Sequence, residues 1–102
     1  MQIDGFDWDD GNWPKCARHG LTKAEIESVF LGWVEVFPAK EGSLQEMRQA
    51  AVGTNGEGRY IFAVFTVRQN DERTLIRPIS ARFMHEKEIR HYEQQKVSQI
   101  LP

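Results

Sequence analysis

Apolar and polar positions fall into blocks that predict short helices, then strands, then a final helix. Residues 2–8 read as an extended piece anchored by Ile3 and by Phe6 or Trp8, with Gly5 at a bulge or turn. Asp9 to Asn12 is turn chemistry, and Asp10 or Asn12 is suited to cap the next segment. A short helix is predicted from Trp13 to Arg18, with Pro14 in its first turn and Gly20 as a left-handed C-cap. Thr22 and Glu25 have capping-box spacing, and Leu21 and Ile26 are spaced for a hydrophobic staple. Ile26, Val29 and Phe30 then form a helical stripe that ends at Gly32.

From Trp33 the period shortens. Trp33–Phe37 predicts a strand stopped by Pro38. Residues 38–47 predict a polar loop with room for a helical turn from Ser43 to Met47. Arg48–Gly53 predicts a second strand, and Asn55 to Gly58 a hairpin turn. Arg59–Arg68 is apolar on alternate and intervening positions alike, as in a strand covered on both faces. Arg73–Arg82 predicts the last strand, where Pro78, lacking a ladder donor, implies an edge or a bulge. Met84–Val97 predicts a helix whose thin stripe (Ile89, Tyr92, Val97) leaves it partly exposed. The expected fold is one α+β domain over residues 1–102: an antiparallel meander sheet with two N-terminal helices and a C-terminal helix.

Charge adds an asymmetry. The formal net charge is −2, yet residues 1–58 carry about −5 and residues 59–102 about +3. A basic second half suggests an anionic ligand met by a few arginines, not a long phosphate-tracking surface. No apolar run reaches bilayer length and the first residues are acidic, which makes a cytoplasmic protein the expectation. The single cysteine, Cys16, excludes an internal disulfide and a Cys-rich zinc site. Its ordinary reading is a small half-buried residue.

Chemistry concentrates at the last strand and the helix after it. In a regular strand Arg77 and Ile79 face one side, and Ser80 and Arg82 the other. A bulge at Pro78 breaks that alternation and brings Arg77 and Arg82 closer. The two guanidiniums then make either a phosphate clamp or ion pairs with Glu46, Glu86 or Glu88. His85, near a helix N-terminus, is either a base or a solvent-facing residue. Tyr92 either offers its hydroxyl to a site or packs its ring on the sheet. His19 is either a functional group or a cap on the last helical carbonyls. Glu46 and Arg48 are an ion pair, an acid/base with its anchor, or unrelated. Three scattered histidines give no metal-ligand spacing, and there is no Gly-rich phosphate loop.

The residues also carry a resemblance that spans nearly the whole chain. It runs through Phe6-Asp7-Trp8-Asp9, Asn12, Lys15, His19-Gly20, Glu25, Val29-Phe30, Glu46-x-Arg48, Gly53 and Gly58-Arg59. It continues through Val64-Phe65-Thr66-x-Arg68, Ile76-Arg77-x-Ile79-Ser80-Ala81-Arg82, Glu88 and Tyr92-Glu93. Together these resemble the BrnT family of toxins from type II toxin–antitoxin systems. The resemblance implies a RelE-like fold and a growth-inhibiting ribonuclease without a cofactor. The cleavage would be metal-independent, by attack of the ribose 2′-hydroxyl. It also implies a cognate, BrnA-like ribbon-helix-helix antitoxin, through which alone the toxin would reach DNA, and no membrane partner. On that basis Arg82, Arg77 and Arg48 would hold the phosphate, His85 or Glu46 would be the base, and His19 or Tyr92 the acid or a positioning group. Arg59, Arg68, Ser80 and Lys87 would make further RNA contacts. The alternative is a catalytically weak or inactive member that binds an antitoxin and tunes transcription. The negative net charge departs from the basic character expected of an RNA-cleaving toxin.

Overall fold

A computed structural model describes residues 2–32, 34–38 and 48–100, with the side chains of 96–100 outside the description. Its strands are β1 (Gly5–Phe6), β2 (Glu35–Pro38), β3 (Gln49–Thr54), β4 (Tyr60–Asn70) and β5 (Arg73–Phe83). Its α-helices are α1 (Lys23–Leu31) and α2 (Glu86–Ile100), and a 3-10 helix spans Lys15–His19. The strands form one sheet in the order β1-β5-β4-β3-β2.

Two features correct the expected RelE-like meander with two N-terminal helices. First, the sheet is mixed: β1 lies parallel to β5, pairing Gly5 with Leu75 and Phe6 with Ile76. Antiparallel pairs close through short turns, whereas a parallel pair needs a long crossover, here supplied by the chain from the 3-10 helix through β4. Second, among the described residues only one α-helix precedes the sheet's main strands. The stretch predicted as a helix over 13–18 is a five-residue 3-10 helix. So short a segment lacks the length to propagate α-helical hydrogen bonds. Asn12 does not cap it. Buried to 2 % exposure, Asn12 donates through Nδ2 to the carbonyls of Asp7 (3.0 Å) and Pro78 (2.9 Å) and accepts from the Asp9 N–H (2.9 Å). It ties the N-terminal loop to β5.

The capping box at Thr22 forms, with the Glu25 N–H donating to Thr22 Oγ1 (3.1 Å) and the Thr22 N–H donating to Glu25 Oε1 (3.1 Å). Helix α1 buries Ile26, Val29 and Phe30 against one face of the sheet, where Ala51, Ile61, Ala63 and Phe65 complete the core with Cys16 and Ile76. Phe30 meets Phe65 edge to face at 4.9 Å. Gly53 lets α1 approach β3 closely at Val29: a Cβ there would lie 2.8 Å from the Val29 carbonyl oxygen.

The other face carries the charged groups. Opposed residues of neighbouring antiparallel strands share a face. The register pairs Phe62 with Arg82, Val64 with Ser80, and Thr66 with Arg77. Because 62, 64 and 66 alternate along β4, Arg77, Ser80 and Arg82 all lie on one face. The register shift between Val64 and Phe65 leaves Ile79 as the extra residue of β5. This is the bulge that Pro78 predicts. Helix α2 is fastened to this face by contacts that include three: Tyr92 donates to Glu35, Tyr92 packs on Tyr60 at 5.7 Å, and Glu88 pairs with Arg82.

Candidate active site

Strand β5 ends in a turn that delivers the site. The Met84 N–H donates to the Tyr60 carbonyl (3.0 Å), and His85 opens α2, its carbonyl accepting from the Ile89 N–H (2.9 Å). Glu88, three residues on, accepts from the His85 N–H (3.0 Å) and so satisfies one of the orphan donors of the helix start. The same carboxylate grips Arg82 with two parallel bonds, Nη1 at 2.7 Å and Nη2 at 2.8 Å. The Arg82 guanidinium, followed by the His85 N–H, holds the Glu88 carboxyl down at about 2, so it is ionised in neutral solution. That carboxylate in turn raises the Arg82 guanidinium's pKa. The Arg82 guanidinium also faces the Phe62 ring at 5.2 Å.

Beside Arg82 lies a cleft of about 410 Å³ lined by His19, Arg59, Arg82, Phe83, Met84 and His85. His19 arrives at the end of the 3-10 helix, where Gly20 turns the chain at φ 91°. Arg59 is set by the hairpin: Asn55 Oδ1 accepts from the N–H groups of Glu57 and Arg59, both at 2.9 Å. Its guanidinium stacks over the Phe83 ring at 3.6 Å. Two imidazoles and two guanidiniums therefore border one cleft, with one ionised carboxylate holding one of the cations. Such a set can bind a phosphate and exchange protons with it.

The other residues singled out in the sequence are elsewhere. Arg77 is 11 % exposed and lies between two acids of the N-terminal loop: Asp9, bidentate at 2.9 and 3.0 Å, and Asp7 at 3.4 Å. This pairing lowers the Asp9 carboxyl and raises the Arg77 guanidinium. Arg68 is 4.0 Å from Asp7, at the same end of the sheet. Tyr92 does not line the cleft. Burial, then its bond to Glu35, pushes its phenol well above the usual range. Lys87 is exposed on α2. Glu46 and the helical turn at 43–47 lie outside the described residues.

Arg48 and Ser80 line a second cleft, of about 570 Å³, with Lys15, Arg18 and Ile79. Sequence reasoning gave Lys15 and Arg18 no role. Their three-residue spacing on a segment that proves to be 3-10 was the available signal, because that helix has three residues per turn. Cys16 is fully buried in the core, and burial raises its thiol pKa. Among the described residues no group of three His, Cys, Asp or Glu side chains could hold a metal ion. Nor is any described helix long and apolar enough to cross a membrane.

Residues 8–88 match the family model described as "Ribonuclease toxin, BrnT, of type II toxin-antitoxin system". The chain belongs to the BrnT family. It is thereby a ribonuclease toxin of a type II toxin–antitoxin pair, a class with RNA as substrate and an antitoxin as partner. No curated protein matches the chain. The stretch matched to BrnT contains every lining residue of both clefts and ends at Glu88, leaving most of α2 outside it.

Proposed function

We propose that this BrnT chain acts as a single domain that cuts RNA in the His19–Arg59–Arg82–His85 cleft, with no metal ion taking part. The observation that carries this reading is the gathering of two imidazoles and two guanidiniums around one cleft. His85 accepts the proton of a ribose 2′-hydroxyl, and the freed oxygen forms a bond to the adjacent phosphorus. The extra negative charge of the pentavalent phosphorane is met by Arg82 and Arg59. The bond from phosphorus to the 5′-oxygen then breaks, and His19 supplies that oxygen with a proton. The products are a 2′,3′-cyclic phosphate and a 5′-hydroxyl. A guanidinium has five N–H donors. Glu88 takes two from Arg82 and leaves others for phosphate, which makes Glu88 a positioning residue. A ribbon-helix-helix antitoxin covers this cleft and carries the pair to operator DNA.

The bidentate Arg82–Glu88 bond favours one alternative reading, because it compensates the central cation. In that reading the chain binds its antitoxin and tunes transcription without cutting RNA. Purified protein and 5′-labelled RNA separate the two. Catalysis predicts cleavage that EDTA does not change, that a stoichiometric antitoxin stops, and that His85→Ala slows by about 10²–10⁴-fold. RNA left intact at equimolar protein, together with tight antitoxin binding, contradicts the catalytic reading.

A further inference from the structure

The second cleft holds three cations, none of them compensated as Arg82 is in the first. Arg82 is held by Glu88, and Arg77, outside both clefts, by Asp7 and Asp9. Lys15, Arg18 and Arg48 have no acidic partner among the described residues, and all three are exposed. A 3-10 helix has three residues per turn, so Lys15 and Arg18 stand one above the other. Arg48, just before β3, lines the same cleft, together with Ile79 and Ser80 of β5. Three like charges around one cleft repel each other, and an arriving anion relieves that repulsion. The cleft's volume, about 570 Å³, is in the range of small-ligand sites.

The two clefts adjoin. Arg18 and His19 are consecutive in the chain but line different clefts. Ser80 and Arg82 lie on one face of β5, about 6.6 Å apart along the strand. An anion that continues from one cleft to the next is a polymer with regularly spaced charges. We infer that the Lys15–Arg18–Arg48 cleft binds the phosphate and base of the RNA nucleotide next to the one cut. The cations and the Ser80 hydroxyl take the phosphate, and Ile79 offers an apolar surface to the base. This inference rests on the reading of the first cleft as the cutting site.

The test uses the full chain and a single-stranded RNA bearing 2′-O-methyl groups, which binds but cannot be cut by its own hydroxyls. Arg18→Gln together with Arg48→Gln is expected to weaken binding about tenfold or more. The slope of log affinity against log salt falls by about 0.7 for each phosphate no longer neutralised. On a dinucleotide, whose single phosphate fills only the first cleft, the effect shrinks below twofold. Arg18→Lys with Arg48→Lys keeps the charges and restores most of the binding, which separates a charge effect from misfolding. Unchanged affinity and salt slope overturn the inference. So does an equal loss on the dinucleotide, which would assign these residues to the cutting site itself. A loss of antitoxin binding with RNA binding intact also overturns it, in favour of an acidic protein segment. If the wild-type chain itself fails to bind the RNA, the reading of the first cleft fails too, before any variant is compared.

Discussion

Arg77 and Arg82 are the same residue type on the same face of one strand, five positions apart, and they are employed differently. Arg77 is 11 % exposed beneath the acidic loop that precedes the 3-10 helix, and its guanidinium bonds Asp9 and Asp7. Arg82 is 34 % exposed at the strand's end and shares a cleft with His85 and His19. The difference lies in the segment that packs over each end of β5. At one end the chain's N-terminal segment, nearly seventy residues earlier in sequence, covers the arginine with carboxylates. At the other, the first turn of α2 supplies one carboxylate and leaves an opening. A cation near a candidate site becomes informative only when its acidic neighbours are known.

The largest effect that would sharpen this contrast is on activity. On the proposed mechanism Arg82→Ala removes a guanidinium that meets developing phosphate charge, and it is expected to cut the RNA cleavage rate by about 10²–10³-fold. Its measurement is a single-turnover assay on labelled RNA, and a rate within threefold of wild type would break the contrast from this side. Next comes Arg77→Met, whose effect falls on stability. Asp9 is 59 % exposed and regains water, so the loss is Arg77's own bonds and packing, about 1–2 kcal/mol. Thermal unfolding should show Tm lower by about 5–10 °C. The cleavage rate of the folded fraction should stay within a few-fold of wild type. A hundredfold loss of rate without loss of Tm would make Arg77 part of the reacting centre.

Glu88→Gln gives the smallest effect. The Glu88 carboxyl is held down from 4.5 to about 2 in the folded chain. Its contribution to stability is therefore fully present above about 4.5 and disappears as pH falls toward about 2. For a partly exposed pair that contribution is up to about 1 kcal/mol. In Glu88→Gln the acid limb of a stability-against-pH curve should flatten between those values. The Arg82 guanidinium, freed from its positioning partner, should then bind RNA without cutting it faster. Identical acid limbs for the two proteins would show that the Arg82–Glu88 pair contributes nothing to the fold.

Local chemistry was readable in the chain. Thr22 and Glu25 announce the cap, Gly20 the left-handed turn, and Pro78 the bulge that brings Arg77 and Arg82 to one face. The pairing of Arg82 with Glu88 was one of the partners open to it, because the two are separated by one tight turn. Contacts across the chain were not readable. Nothing in a two-residue strand says that Gly5 and Phe6 pair with Leu75 and Ile76, or that Asn12 bonds the Pro78 carbonyl. The partners expected for Arg77 were Glu46, Glu86 or Glu88. Its actual partners come from the loop that β1 carries to the sheet edge. Lys15 and Arg18 are three residues apart, which puts them on one side of either kind of helix, but nothing in the sequence says that Arg48, Ile79 and Ser80 line the same cleft.

The most direct test of the central claim is the rate at which purified chain cuts labelled RNA when both Arg82→Ala and His85→Ala are present, compared with wild type at equal folded fraction. Wild type is expected to leave 2′,3′-cyclic phosphate ends, and the double variant to leave the RNA intact. Full cleavage by the double variant would contradict the assignment of the cutting site to this cleft.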